Sequence, residues 1–409
     1  MKVAVQKFGG TSLATAECRS QVVEIINSTK SDGFNVVVVV SAIGRENDPY
    51  ATDTLINLLK EVNPHPPARE LDIIMSCGEV ISGVLLANQL SSNGIAAKFL
   101  NGEQAGILTD DNYGNAHILY VNPQSILTCL ENNIIPVIAG FQGMANNGEL
   151  TTLGRGGSDT TASAIGAALN AEIIDIFTDV EGIMTADPRI VKNARILDAI
   201  GYNEVCQLAR DGAKVVHPRA IEIAMQSGIP LRVRSTFSDS LGTLVTHLQQ
   251  GRGNSSYLIK EQLITGITQM SNISRIKVEL SSCEEKKGID LKVFKSLAIA
   301  GISVDFINVQ PEAIRFTVSV DNTEKALAVL NKINIYPDIE FNCAKVAVVG
   351  AAMTGVPGVM AKVMEALSEN DIPILQSGDS YTSIWCLLKD EHMEKAVKAL
   401  HDKFELGNK

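Results

Sequence analysis

The apolar run Val3-Ala4-Val5 leads through Gln6 into Lys7-Phe8-Gly9-Gly10-Thr11-Ser12, and a helical stretch follows over about 14–28. Strand, glycine turn and helix in that order open a parallel α/β unit, because parallel strands need a crossover element between them. In an open parallel sheet such a turn lies at the carboxyl ends of the strands, where ligands bind. The glycines let backbone N–H groups face an anion, a helix N-terminus adds partial positive charge, and Lys7 adds a full one. The stretch reads as a phosphate cradle. Taken alone it is better read as a solvated lysine beside an ordinary turn, so the rest of the chain decides.

From Lys2 to about Thr246, short β-branched runs (36–40, 134–139, 173–177, 231–233) alternate with helical stretches. Near-continuous apolar strands arise where helices cover both faces of a parallel sheet. The expectation is one three-layer αβα domain with a mainly parallel sheet over 1–248. The polar, glycine-rich run 249–262 reads as a linker.

A second cradle stands at Leu153-Gly154-Arg155-Gly156-Gly157-Ser158-Asp159-Thr160-Thr161, ahead of a small-residue helix over 162–171. Arg155 has the planar fork that grips a carboxylate. The plainer alternative is a glycine turn before a helix capped by Ser158 or Asp159. A long polar turn follows the 173–177 run: Thr178-Asp179-Val180-Glu181-Gly182-Ile183-Met184-Thr185-Ala186-Asp187-Pro188-Arg189. Turns of that length usually carry function, though a surface loop fixed by Asp187-Pro188 is the bland alternative. No Gly-Lys-Ser or Gly-Lys-Thr occurs, and no Gly-x-Gly-x-x-Gly follows a candidate strand, which removes the P-loop and dinucleotide readings.

The chain has 409 residues, enough for two or three domains, and 45% of them are apolar. A net charge of −11 and a pI near 5.1 disfavour nucleic acid and anionic membranes as partners. A small anionic substrate must then meet local positive charge, for which Lys7, Arg155, Arg189 and Lys214 are the candidates. Seven widely spaced cysteines with no Cys-x-x-Cys suit a reducing compartment. The first strand begins at Lys2 and the apolar runs are too short for a bilayer, so a cytoplasmic protein is expected.

Beyond the linker the chain repeats itself at a spacing of 70 residues. Lys292-Val293 matches Lys362-Val363, Leu297 matches Leu367, Glu324-Lys325-Ala326 matches Glu394-Lys395-Ala396, and Leu330 matches Leu400. Each copy reads strand, helix, strand, strand, helix, and the first adds a strand near 339–341, giving a ferredoxin-like α+β order. The copies are placed at 263–342 and 343–409. The second runs out of chain before a fourth strand. The segment 263–268 lacks a partner within its own copy and is expected to join the second copy's sheet.

The Lys7–Ser12, Gly154–Thr161 and Thr178–Arg189 stretches together resemble the aspartokinases of the amino acid kinase family. Ser76-Cys77-Gly78-Glu79 is similar to the family's Ser-x-Gly-Glu, and Gly212-Ala213-Lys214-Val215-Val216-His217-Pro218 to its Gly-Ala-Lys-Val-x-His-Pro. The repeats resemble ACT domains, which sense small ligands in amino-acid metabolism. The resemblance implies phosphoryl transfer from ATP, carried with Mg²⁺, to the β-carboxylate of L-aspartate. It implies Lys7, Asp159 and Arg155 as catalytic residues. Thr54, Glu79, Arg155 and Ser158 would bind aspartate. Lys7, Phe8, Gly9, Gly10, Thr178, Asp179, Met184, Thr185, Ala186, Asp187, Pro188, Arg189 and Lys214 would bind ATP. Met184 stands where the family often has an aromatic. It further implies a homodimer through the ACT domains and feedback by lysine, threonine or diaminopimelate near Gly288, Asp290, Ser303, Val304, Asp305 and Gln310. Glu284–Asp290 occupies the place of a Pro-Gly turn that the second copy keeps as Pro357-Gly358. Two alternatives remain: another amino acid kinase, acting on glutamate, acetylglutamate or a nucleotide, and a non-catalytic amino-acid sensor.

Overall fold

The computed structural model describes residues 1–45, 47–213, 215–247, 263–280, 288–351, 353 and 356–408. Lys214, the 249–262 linker and the Glu284–Lys287 part of the Glu284–Asp290 run lie outside the described residues. The chain forms two compact units. The first comprises Met1–Met184, Ile196–Arg210 and Lys214–Tyr257; the second comprises Thr185–Arg195, Asp211–Ala213 and Leu258–Lys409. Two short segments inside the 1–248 span thus pack with the C-terminal part of the chain.

The first unit is built on an eight-stranded sheet. Its strands run in the order Ala199–Gly201, Thr243–Thr246, Leu231–Ser235, Ile173–Thr178, Val3–Phe8, Asn35–Val40, Ile135–Ala139, Ala97–Leu100. Every pairing is parallel except Leu231–Ser235 against Thr243–Thr246. Val36 through Val40 are all buried, as a central strand covered on both faces requires. Strand Val3–Phe8 has the second strand of the chain on one side and Ile173–Thr178 on the other, so the order of connection reverses around it. The turns after Val3–Phe8 and Asn35–Val40 open into one crevice. The first helical stretch is split: a short turn Gly10–Leu13 comes first, then Ala16–Ser31, whose cap Thr15 accepts a bond from the Cys18 N–H at 3.2 Å.

A smaller four-stranded sheet joins Ile118–Val121, Ile107–Thr109, Gln142–Ala145 and Leu150–Thr152. Its strands are too short to show a period in the sequence, yet the last of them delivers the Arg155 loop.

In the second unit the two sequence repeats share a single six-stranded antiparallel sheet, ordered Asp305–Val309, Ala313–Ser319, Gly266–Glu279, Asp338–Val349, Ser383–Lys389, Gln376–Asp379. Its two central strands each serve both copies. Gly266, Ile267 and Thr268 pair with Val349, Val348 and Ala347 at the start of the second copy, while Arg275, Ile276 and Lys277 pair with Glu340, Ile339 and Asp338 in the first. Where each strand passes from one copy to the other stands an asparagine in the left-handed region, Asn272 (φ 59°) and Asn342 (φ 54°), a conformation asparagine tolerates better than most side chains. The apolar repeated positions are core positions, while the matched Lys292, Lys362, Glu324, Glu394, Lys325 and Lys395 are exposed. Val293, Leu297, Ala326 and Leu330 pack against Ile276, Ile314 and Phe316, and Val363, Leu367, Ala396 and Leu400 pack against Val346, Val348 and Ile384.

Candidate active site

A crevice of about 350 Å³ opens in the first unit where the central strands end. Lys7, Gly10, Ala42, Arg45, Asp53, Glu79, Phe141, Arg155, Ser158 and Asp159 all line it. At its floor Lys7 Nζ lies 2.8 Å from Asp159 Oδ1, with both side chains 12% exposed. Lys7 projects from the end of the first strand, and Asp159 from the first turn of the helix Gly157–Leu169. The cap of that helix is Gly156, in the left-handed region at φ 71°, so neither Ser158 nor Asp159 is the N-cap. Both instead stand in the first turn, beside the positive end of the helix. A side chain at Gly156 would meet His217, whose Cβ would lie 2.2 Å from the added carbon. Gly10 is required for a different reason: a Cβ there would come within 2.5 Å of the Ala42 carbonyl oxygen, so the two loops close only on glycine.

Glu79 lies within the long helix Ala68–Ser92 and is 3% exposed. Its Oε1 accepts a bond from the Ala42 N–H at 2.9 Å, and its Oε2 is buried with no partner. Burial pushes its carboxyl up to about 8, against the opposing pull of the Ala42 hydrogen bond and of Lys7. Thr54, on the helix Thr52–Val62, also keeps a buried hydroxyl without a partner. Arg155 is exposed at the crevice wall. One acid, one buried ion pair and one free guanidinium thus converge on the same space.

The Arg155 loop is held by residues the sequence reading did not single out. Asp72, fully buried, accepts bonds from the N–H groups of Thr152 (2.7 Å) and Gly114 (3.0 Å) and from the Thr152 hydroxyl (2.8 Å). Arg219 donates to the carbonyls of Leu153 (2.8 Å) and Ala116 (3.0 Å). His217 caps the helix Pro218–Ser227 through its Nδ1, and its N–H points at Asp159 Oδ2, 3.4 Å away. Burial lowers the His217 pKa from its ordinary value. Arg45, after the second strand, forms an ion pair with Asp179 beside the crevice. Its position at a strand's carboxyl end was the signal that would have found it.

The residues expected to bind nucleotide separate into two groups. Lys7, Gly9, Gly10, Thr178, Asp179 and Met184 belong to the first unit, and Gly9 donates to the Phe177 carbonyl at 3.2 Å. Phe8 belongs there too, but its ring is fully buried and stacks on Phe177 at 4.8 Å, so its side chain serves the core and leaves only its backbone for a ligand. Thr185, Ala186, Asp187, Pro188 and Arg189 belong to the second unit. There Arg189 holds Asp187 at 2.6 Å and keeps its carboxyl below the usual range. Gln269 also donates to Asp187, at 3.3 Å.

The residues expected to sense an effector lie in the first half of the shared sheet. Gly288 (φ 80°) caps the helix Ile289–Ile299, which contains Asp290; Ser303 and Val304 precede, and Asp305 begins, the edge strand Asp305–Val309. Gln310 follows that strand and accepts a bond from Arg315 at 2.7 Å. Asp305 also faces the buried Lys345 at 3.5 Å, which in turn lies 2.6 Å from Asp211.

Comparison with known proteins accords with this geometry. Residues 2–235 match the amino acid kinase family. Aspartokinase 1 of Bacillus subtilis is 49% identical over 407 residues, covering the whole of both chains. The chain belongs to the aspartokinases. As in an aspartokinase with sensing modules, residues 338–402 match the ACT domain. E. coli aspartokinase III in complex with aspartate and ADP superposes with a TM-score of 0.81 at 26% identity, over 98% of this chain and 99% of that one. The same enzyme in complex with lysine and aspartate gives 0.74 at 26% identity, over the same shares. No aspartokinase helix here, among the described residues, is long and apolar enough to cross a membrane, and no cluster of His, Cys, Asp and Glu among them could hold a metal ion.

Proposed function

We propose that the crevice around Lys7 is where ATP and L-aspartate meet, and that the residues lining it divide the work by charge. The chain is an aspartate kinase; the assignment of roles is supported chiefly by one observation, the Lys7–Asp159 ion pair facing the unpartnered Glu79 Oε2 and the Arg155 guanidinium across a single space.

A β-carboxylate oxygen of aspartate attacks the γ-phosphorus of ATP. The bond from that phosphorus to the bridging oxygen breaks, and ADP leaves with the electron pair. No proton moves, because the nucleophile is already an anion at neutral pH. The enzyme's task is to bring two anions together and to stabilise charge on the transferring group. Lys7 supplies that charge, held in place by Asp159. The N–H groups around Gly9 and Gly10 and the N-terminus of the Gly157–Leu169 helix add preorganised dipoles. Arg155 takes the α-carboxylate, and Glu79 takes the α-ammonium through Oε2, with Thr54 and Ser158 alongside. Thr178, Asp179, the 184–189 segment and Lys214 hold the nucleotide. Mg²⁺ bound with ATP would supply neutralisation of phosphate charge, and Asp159 would be the carboxylate available to hold its water shell.

Feedback acts through the ACT domains, and lysine, threonine or diaminopimelate is the effector, engaging Gly288, Asp290, Ser303, Val304, Asp305 and Gln310. The active form is a cytoplasmic homodimer joined through these domains, since ACT ligands sit between two copies. Release of ADP, followed with aspartate, glutamate and UMP as acceptors, tests the reading. Turnover should occur with aspartate alone and fall about 10²- to 10³-fold in Lys7→Ala. Wild-type turnover in Lys7→Ala would remove the lysine from catalysis.

A further inference from the structure

The nucleotide segment is anchored by a residue near the end of the chain. Thr185 and His401 are both fully buried, and Thr185 Oγ1 lies 3.0 Å from His401 Nε2. Both belong to the second unit. The other polar atoms of Thr185 are also committed. Its N–H donates to the Arg195 carbonyl at 2.9 Å, its carbonyl accepts from Ile267 at 2.8 Å, and its Oγ1 accepts from the Arg195 N–H at 3.1 Å. The polar atoms of Thr185 are thus tied to the protein, so its part within the 184–189 segment is to hold the chain in place between Met184 and Ala186. His401 lies on the helix Met393–Lys403, which packs through Ala396, Val397 and Leu400 into the same core as Ala186 and Val191. Its second ring nitrogen, Nδ1, is buried with no partner. A buried ring that satisfies one hydroxyl and leaves its own other nitrogen unpaired costs free energy that an apolar residue would avoid. What the histidine supplies in return is a fixed direction for the Thr185 side chain.

We propose that His401 is a positioning residue for the kinase reaction: acting through Thr185, it fixes the course of the 184–189 segment and thereby sets the affinity for ATP. The inference rests on the reading of that segment as nucleotide-binding. Without the anchor, ordering Ala186 to Arg189 falls to the nucleotide itself, and affinity drops by the ordering cost. The aspartate side of the crevice has no such dependence.

Three variants of the full-length enzyme test it by steady-state kinetics with each substrate varied in turn. His401→Ala removes the ring, Thr185→Val removes only the hydroxyl at nearly constant shape, and His401→Gln returns an amide near the place of Nε2. The expected result is an ATP KM raised about tenfold in His401→Ala and in Thr185→Val, the loss of one buried hydrogen bond. The aspartate KM and the kcat at saturating ATP should stay within about twofold. His401→Gln should recover most of the loss, and the double variant should be no worse than either single one. An unchanged ATP KM, an equal rise in both KM values, or additive losses in the double variant would each overturn the proposal. If His401→Ala does not fold, Thr185→Val and His401→Gln carry the same test. Arg189→Ala separates the two layers of argument. An unchanged ATP KM there overturns the nucleotide reading and the proposal with it; a rise there, with none in the His401 and Thr185 variants, overturns the positioning role alone.

Discussion

If Glu79 takes the α-ammonium as proposed, aspartate binding should depend on pH in a direction set by the burial of its carboxyl. With its carboxyl raised to about 8 by burial, the free enzyme at pH 7 carries Glu79 mainly in the neutral form, by about tenfold. The incoming α-ammonium needs the ionised form, so binding must first expel a proton. Aspartate affinity should therefore rise by about 50-fold between pH 6 and pH 8 and flatten above that, and close to one proton per site should be released at pH 7. Isothermal titration calorimetry in buffers of different ionisation enthalpy reads both quantities. In Glu79→Gln the slope should vanish, with a large loss of affinity at pH 8 and a small one at pH 6. The same raised carboxyl has a consequence for stability. The folded protein binds this proton below about 8, whereas an unfolded glutamate binds it only below 4.5. Its contribution, up to about 5 kcal/mol, is thus complete below pH 4.5 and is lost as pH rises through about 8. Bound aspartate should offset that loss, visible as a ligand-induced rise in Tm that is larger at pH 8.5 than at pH 6. An aspartate affinity independent of pH from 6 to 8, with no proton released, would refute the reasoning.

Other outcomes follow from the same geometry. Arg155→Lys keeps a charge and loses the planar fork, so the aspartate KM should rise at least tenfold while the ATP KM holds; an unchanged aspartate KM would take Arg155 out of substrate binding. Gly156→Ala places a Cβ against His217 at a backbone angle alanine resists, and should cost several kcal/mol in chemical denaturation or, if the loop yields, most of the activity. Lys345→Met removes the cation that faces Asp211 and lies over the Phe306 and Trp385 rings, and should destabilise the protein by about 3–5 kcal/mol. Adding Asp211→Asn to that variant should recover much of the loss in a thermal melt.

The cradles were legible because the chemistry that makes them leaves marks of short range. A glycine between a strand and a helix, a lysine before it, and an arginine enclosed by glycines each have a reason visible within ten residues. The repeat at 70 residues was legible in part because its apolar matches are core positions, and core positions keep their size and polarity. What could not be read were the partners brought in from a distance. Asp72 and Arg219 look like ordinary surface charges on helices, and only the fold shows that they grip the backbone just ahead of Arg155, at Thr152 and Leu153. The place of the Phe8 ring was hidden for a related reason. In an exposed turn it belongs to the cradle, but alternation along a buried strand turns its ring into the core against Phe177. The shared sheet was likewise hidden, since local patterning shows two strands where one long strand changes partners at Asn272.

The strand 266–279 carries the argument one step beyond its own sheet. Within the second unit, three consecutive residues at its start hold both inserted segments. Ile267 donates to the Thr185 carbonyl, the Thr268 hydroxyl donates to the Asp211 carbonyl at 3.3 Å, and the Gln269 side chain reaches Asp187. Gly212 packs so closely on the Gln269 backbone that a Cβ would lie 2.0 Å from its carbonyl oxygen. The far half of the same strand pairs with Ala313–Ser319, the neighbour of the edge strand that begins at Asp305. A ligand that alters the first copy's sheet therefore has a continuous route along one strand, through the irregular pairing around Asn272, to the segments assigned to the nucleotide. Inhibition should then appear first as a rise in the ATP KM. Gln269→Ala, which cuts one tie and leaves the ladder intact, should weaken inhibition by the effector more than it weakens uninhibited turnover. Inhibition that raises only the aspartate KM and is untouched by Gln269→Ala would show that the signal travels elsewhere.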